Sequence, residues 1–201
     1  MEITSAYGVL ANQGIRTKPY AIIRVEDASG GVLEENFPEE EVVLSAQSAY
    51  IMTYLLKEVA ERGTGWYTRR IGRPRAGKTG TTNKFTDAWF IGFVPNLVAG
   101  VWVGYDDNHT LGERQSGAVA ACPMWTEFMK EALQDTPVLE FSVPPNIVFV
   151  KIDPKTGLLA LEDREDAVLL PFVKGTEPTD YFISEKISEE ETGLPFPTSL
   201  E

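Results

Sequence analysis

The stretch Ala76-Gly77-Lys78-Thr79-Gly80-Thr81-Thr82-Asn83 gathers a cation, hydroxyls and two glycines, and its local conformation decides how the rest of the chain reads. Two readings compete. A phosphate-binding loop follows Gly, four residues and Gly-Lys-Ser/Thr ahead of a helix, and Gly72-Arg73-Pro74-Arg75-Ala76-Gly77-Lys78-Thr79 fits that string. Its surroundings disagree: no β-rich run precedes Gly72, Pro74 and two arginines stand inside the loop, and Gly80-Thr81-Thr82-Asn83 starts a helix poorly. As a strand, the same residues make chemical sense. Side chains alternate along a strand, so Thr79 and Thr81 share a face. Gly77 and Gly80 let another backbone approach closely. Lys78, Thr79 and Thr81 can then grip a carboxylate, and the backbone N–H of Thr81 at a strand edge can point at a developing oxyanion.

The flanking sequence supports the strand. Residues 75–82, 88–94 and 98–105 are three strand candidates, with Pro95-Asn96 turning between the last two. Both later runs are aromatic and almost wholly apolar, which predicts burial on both faces. A helix from Pro123 would cover them, because Trp125, Phe128, Met129, Ala132 and Leu133 recur at helical spacing. Upstream, Ile3, Tyr7, Leu10 and Ala11 fall on one helical face that Gly14 ends. Ser45 can cap a second helix with the stripe Ile51, Met52, Leu55, Leu56 and Val59, stopped by Gly63. Residues 20–26 and 32–35 flank Asp27-Ala28-Ser29-Gly30-Gly31 as a hairpin, and Glu39, Glu40 and Glu41 read as a solvated connection. An antiparallel sheet covered by helices is an α+β arrangement.

Past Thr136-Pro137 the composition changes. Pro144-Pro145 leads into residues 147–152, the turn Asp153-Pro154-Lys155-Thr156-Gly157 and residues 158–161, which read together as a second hairpin. Residues 184–201 are acidic and are expected to form a disordered tail.

Composition excludes several functions. With 201 residues, 43% apolar and 24% charged, the chain can bury a core as one large domain or one domain plus an appendage. A net charge of -12 argues against nucleic acid and anionic membrane surfaces as partners. No apolar run of about 18 residues is present, so no membrane span is expected, and the opening residues lack the basic and apolar regions of a signal peptide. Any targeting element is therefore expected outside this chain. Cys122 and His109 are single, which rules out an internal disulfide and a zinc site of the usual ligand count. Cys122 reads as a small buried hydrophobe. His109 reads as a solvated residue of the turn after Asp106-Asp107-Asn108, which lacks the spacing of a calcium loop. No cofactor or metal is expected.

Ala76-Gly77-Lys78-Thr79-Gly80-Thr81-Thr82, the stretch from Asp87 through Trp89, Phe90 and Gly92 to Pro95, and Gly100-Val101-Trp102-Val103-Gly104-Tyr105-Asp106 together resemble the transpeptidase domain of class A penicillin-binding proteins. Thr4-Ser5-Ala6-Tyr7-Gly8-Val9-Leu10-Ala11-Asn12-Gln13-Gly14 is similar to the helix after that family's second motif. Ala121-Cys122-Pro123-Met124-Trp125 resembles the start of its closing helix, and Phe172-Val173-Lys174-Gly175-Thr176-Glu177-Pro178-Thr179 its C-terminal segment. The resemblance implies a partial penicillin-binding/β-lactamase-like transpeptidase fold lacking its N-terminal part. It divides the chain into residues 1–136 as the C-terminal portion of the transpeptidase domain, 137–183 as an extension with a hairpin, and 184–201 as tail.

The family cross-links peptidoglycan through an acyl-serine formed on a D-Ala-D-Ala stem peptide, and β-lactams acylate the same serine. By that resemblance Lys78 sets the electrostatics of the pocket and the Thr81 amide donates half the oxyanion hole. Thr79, Gly80, Thr81 and Thr82 would bind substrate. Stem peptides and β-lactams are the implied partners, at the extracytoplasmic face of the bacterial membrane. The family's Ser-x-x-Lys and Ser-x-Asn are absent, since no serine from Ser5 to Ser199 has either spacing. The chain is therefore expected to be a truncated piece without its nucleophile serine, inactive alone, with the anchor and a glycosyltransferase domain lying elsewhere. Apolar surface left bare would favour self-association. Two alternatives stay open: a non-catalytic binding or scaffold module of the same fold, and a relative of β-lactamases or D-Ala-D-Ala carboxypeptidases.

Overall fold

The computed structural model describes residues 1–161 and 164–181. The chain divides into two compact units, one from Met1 to Pro145 and one from Asn146 onward. The tail expected at 184–201 lies outside the described residues.

The first unit opens with helix α1 (Glu2–Ala11) and strand β1 (Ile15–Thr17). The predicted stop at Gly14 is present: Gly14 has φ +95°, and a Cβ there would meet the Leu44 carbonyl oxygen at 2.3 Å. Gly14 thereby lets the returning chain cross the helix end. Strands β2 (Arg24–Glu26) and β3 (Val32–Glu35) form the expected hairpin, the first shorter than its apolar run. Strand β4 (Glu40–Val42) corrects one expectation: the acidic triplet is solvated as expected, but Glu40 and Glu41 belong to a strand and not to a connection. It pairs antiparallel with β1, Arg16 opposite Glu41, and the Arg16–Glu41 and Lys18–Glu39 ion pairs cross the ladder.

Helix α2 (Ala46–Glu61) starts where Ser45 predicts, with the Ser48 N–H donating to Ser45 Oγ at 3.1 Å. Its buried face differs from the expected stripe. Ala49, Thr53, Leu56 and Ala60 are inside, whereas Met52 and Leu55 are exposed. The residues inside recur at helical spacing and are mostly small, which allows close approach, and the bulkier side chains face out.

The central sheet is antiparallel in the order β5-β6-β7, from β5 (Ala76–Thr81), β6 (Asp87–Val94) and β7 (Leu97–Gly104). Register places Phe90 opposite Thr79 and Val101, and Phe93 opposite Ala76 and Val98. Successive side chains alternate between the two faces. On the Phe90 face, helix α3 (Cys122–Ala132) buries Cys122, Trp125, Thr126 and Met129, with Leu133 just beyond it. The Trp125 ring meets Phe90 edge-on at 5.1 Å, and its indole N–H donates to the Ala99 carbonyl at 3.0 Å. On the Phe93 face lie Tyr7, Leu10 and Ala11 of α1, Leu56 of α2 and Phe141. Helices on both faces cover β6 almost completely. Strand β7 departs from the expected double burial: among the described residues it has one strand neighbour, and Trp102 is 43% exposed. Phe128, counted in the α3 stripe, is exposed because the buried face follows Trp125, Met129 and Leu133.

In the second unit, β8 (Ile147–Ile152) pairs along its length with β9 (Val168–Val173), and the expected return at residues 158–161 is present only as a short antiparallel contact, with the Asp153 N–H donating to the Leu158 carbonyl and the Ala160 N–H to the Lys151 carbonyl at 2.9 Å each. Leu159 contributes one bridge to Ile152. Asp153 holds the turn before that return: it is fully buried and accepts hydrogen bonds from the Lys155 and Thr156 amides and the Thr156 hydroxyl, with Arg164 on its other oxygen.

Candidate active site

Strand β5 carries the predicted residues on an edge. Among the described residues no other strand pairs with its second side. The Thr82 N–H donates to the Asp87 carbonyl at 3.1 Å, which makes Thr82 and Asp87 a hydrogen-bonded pair. Such pairs alternate with non-bonded ones along an antiparallel ladder, so the N–H and C=O of Thr81 and Thr79 turn outward, away from β6. The Lys78 ammonium lies against that outward row, donating to the Thr79 carbonyl at 2.9 Å.

Side chains divide by face. Lys78 and Gly80 stand on the side of Trp89, Ile91 and Trp102, whereas Thr79 and Thr81 stand on the side of Phe90. Lys78 and the two hydroxyls thus flank the outward backbone row from opposite faces. A carboxylate lying along the edge is in reach of both only at the edge itself.

Each hydroxyl has a fixed neighbour. Thr81 Oγ1 accepts from the Gly117 N–H at 3.0 Å, at the start of the π-helical turn Gly117–Ala121 that leads into α3. A backbone N–H can only donate, so the Thr81 hydroxyl must accept there, and its own proton remains for an acceptor outside. Gly117 has no room for a side chain: a Cβ would meet the Trp89 carbonyl oxygen at 2.3 Å and that of Gly80 at 2.4 Å. Thr79 Oγ1 lies 2.7 Å from Thr64 Oγ1. Thr82, predicted with the substrate-binding residues, has its hydroxyl engaged inside the β5–β6 turn, accepting from the Asp87 N–H at 2.8 Å and meeting Thr86 Oγ1 at 2.7 Å. Gly80 faces Trp89, whose Cβ an added methyl would approach to 3.2 Å.

Asp87 organises the turn. It accepts from the Trp102 indole N–H at 2.9 Å and from the Thr82 and Thr86 hydroxyls at 3.1 Å each. The indole hydrogen bond is the main cause that holds its carboxyl below the usual value. Lys84 and Phe85 both adopt left-handed φ, at 63° and 55°, and Thr110 and Leu111 bind their carbonyls. Two such residues in succession persist only when the surroundings hold them.

The phosphate-loop reading fails here. Gly72 ends a 3₁₀ turn, and residues 76–81 run as a strand into a three-residue turn instead of a helix. Cys122 is fully buried, and burial pushes its thiol up to about 11, far from a thiolate nucleophile. His109 is exposed and stacks on Tyr105 at 3.6 Å, with Asp107 at its Nδ1. Among the described residues no cluster of His, Cys, Asp or Glu could hold a metal ion. Two concavities, of about 560 and 540 Å³, lie along α1 and Pro95–Val98 and around Lys84–Thr86; neither includes a residue of β5.

The sequence did not single out Thr64, Gly117 or Asp87 as parts of this arrangement. Gly63-Thr64-Gly65 places a hydroxyl between glycines after a helix, and Ser116-Gly117 precedes the closing helix, which are the local signals that were there to read.

Residues 1–130 match the family model for the penicillin-binding protein transpeptidase domain, and residues 143–183 that for the C-terminal domain of penicillin-binding protein 1A. The chain belongs to the penicillin-binding transpeptidase family. Within that family its relatives include penicillin-binding protein 1A of Aquifex aeolicus, 44% identical over 89% of this chain and 24% of the relative. Penicillin-binding protein 2D of Bacillus subtilis is 37% identical over 90% of this chain and 27% of the relative. The crystal structure of penicillin-binding protein 1A from Haemophilus influenzae superposes with a TM-score of 0.83 at 32% identity, covering 90% of this chain and 33% of that one. The chain thus spans about a quarter of the length of the curated relatives it matches.

Proposed function

We propose that this chain forms one wall of the acyl-transfer site of a serine-type peptidoglycan D,D-transpeptidase. The observation that carries the reading is the outward Thr81 N–H on the open edge of β5, beside the Lys78 ammonium and two hydroxyls. In this reading a D-Ala-D-Ala stem peptide or a β-lactam lies along that edge. Its carboxylate accepts from Thr79 and Thr81, Lys78 supplies positive charge, and the Thr81 amide stabilises the tetrahedral oxyanion. Gly80 leaves room for the ligand backbone, and Thr82 holds the turn that ends the strand. The reaction belongs outside the cytoplasmic membrane, where peptidoglycan is cross-linked.

The nucleophile is not among these 201 residues, because none of the serines has the spacing Ser-x-x-Lys or Ser-x-Asn. Removing an activated nucleophile leaves serine hydrolases with at most roughly 10³–10⁴-fold catalysis over water. The isolated chain is therefore inert towards β-lactams. The Lys78 and Trp102 end of the Phe93 face, beyond the part that α1 and α2 cover, is where the serine-bearing part would pack, and alone it favours self-association.

Fluorescent penicillin tests this reading on two proteins. The isolated chain should remain unlabelled after denaturation, and a covalent label on it would overturn the assignment of inertness. A chimera carrying this chain in place of the matching segment of the Aquifex aeolicus relative should be labelled. Lys78→Ala in that chimera should slow labelling by roughly 10²-fold or more. A folded chimera that takes no label would overturn the acyl-transfer reading.

A further inference from the structure

Thr64 belongs to no predicted motif, yet its hydroxyl oxygen sits 2.7 Å from that of Thr79. This placement is built by the backbone around it. Gly65 donates to the Val59 carbonyl at 3.1 Å and Gly63 to those of Glu58 and Val59, which ties the turn under the last turn of α2. A Cβ on Gly63 would meet Val59 backbone at 3.0 Å. One on Gly65 would meet the Ala60 Cα and the Val59 carbonyl oxygen at 3.2 Å and the Phe90 ring at 3.4 Å. Phe90 is the cross-strand partner of Thr79. Gly63 therefore lets the turn close against the end of α2, Gly65 lets it close on the sheet at the register position of Thr79, and the one side chain between them meets the Thr79 hydroxyl.

Donor counting gives this contact a function. Two hydroxyls that share one hydrogen bond hold two protons and use one, so the pair keeps one O–H for an external acceptor. At Thr81 the Gly117 amide has already fixed the hydroxyl as an acceptor from inside, so that its proton points outside. Thr64 can do for Thr79 what Gly117 does for Thr81. We propose that Thr64 is a positioning residue of the carboxylate site: it donates to Thr79 Oγ1, so that the Thr79 proton, like that of Thr81, is presented to the carboxylate of a donor peptide or β-lactam. Both threonines then face the ligand as donors, and the site selects an anion over a neutral group. This inference rests on the transpeptidase reading above.

The test uses the same chimera and compares a penicillin with its methyl ester, which lacks the carboxylate. Thr64→Val should slow acylation by the free acid roughly three- to tenfold, the weight of one hydroxyl hydrogen bond, and leave the ester unchanged. Thr64→Ser, which keeps the hydroxyl, should restore the free-acid rate. Thr79→Val should slow the free acid as well, and Thr64→Val added to it should cost nothing more, because the two act as a unit. If Thr64→Val slows acid and ester alike, or if Thr64→Ser fails to rescue, Thr64 is only structural and the inference falls. If Thr79→Val slows the acid and Thr64→Val does not, the inference falls while the transpeptidase reading stands. If neither variant discriminates acid from ester, the carboxylate role of β5 itself is wrong.

Discussion

The β5–β6–β7 sheet and the β2–β3 hairpin are both antiparallel and both rich in aliphatic residues, but they occupy opposite extremes of burial. Strand β6 is inside along nearly its whole length, between α3 on one face and α1 and α2 on the other. Every residue of β2 and β3 is exposed, including Val25, Val32 and Leu33, and the register slips between Val25 and Glu26. Strand pairing alone therefore does not place side chains accurately. A one-residue slip in the sheet would move Phe90 and Trp125 out of contact and carry Thr79 and Thr81 to the wrong face, whereas the hairpin absorbs an irregularity without losing a core. The chemistry sits on the strand whose register the core enforces.

Four substitutions would break or sharpen this contrast. Trp125→Ala removes the largest fully buried side chain on the Phe90 face and should destabilise the first unit by about 3–5 kcal/mol, read by urea unfolding followed by circular dichroism. A loss near zero would mean that α3 does not hold the sheet. Arg75 enters β5 buried, donating to Glu61 and Thr68 at 2.9 Å and to the Ala60 carbonyl at 3.3 Å. Arg75→Met should cost about 2–3 kcal/mol in the same assay, since Glu61 is partly solvated but the Ala60 carbonyl and Thr68 hydroxyl are left inside.

Asp87 gives a pH signature. Its carboxyl is depressed in the folded chain, so its contribution is complete above the ordinary value of 3.8 and is lost as pH falls through the lower folded value. Acid titration of tryptophan fluorescence should show that step from Trp102. Asp87→Asn should remove it, and a step that persists would place the titrating group elsewhere. At the small end, Leu33→Ser on the hairpin should change stability by no more than about 0.5 kcal/mol, as measured by the same urea unfolding. A larger loss would show that the hairpin is covered in solution.

Much of this contrast was legible in the sequence, and the gaps have a common cause. Residues 75–105 announce three strands through their apolar runs and the Pro95-Asn96 turn, and Ser45 and Gly14 mark helix ends through local chemistry. What failed depended on partners far away in the chain. Glu39–Glu41 are solvated as read, but Glu40 and Glu41 read as a connection because their charges said nothing about β1 as a partner. Met52, Leu55 and Phe128 read as core because helical spacing defines a face but not which face is covered. Residues 158–161 do return onto the end of β8 through Leu159, but the strand that pairs with β8 along its length is β9, whose first residue lies sixteen positions beyond Ile152.

By itself the sequence determined that β5 is a strand, that Thr79 and Thr81 share a face and that the chain belongs with penicillin-binding transpeptidases, because alternation, glycine placement and motif order are local properties. Only the tertiary structure decided that the Thr81 amide faces the open edge, that Gly117 fixes the polarity of the Thr81 hydroxyl and that Thr64 meets Thr79. Those facts follow from ladder register and from glycines pressed onto the sheet, contacts that form between residues many positions apart and are set by packing.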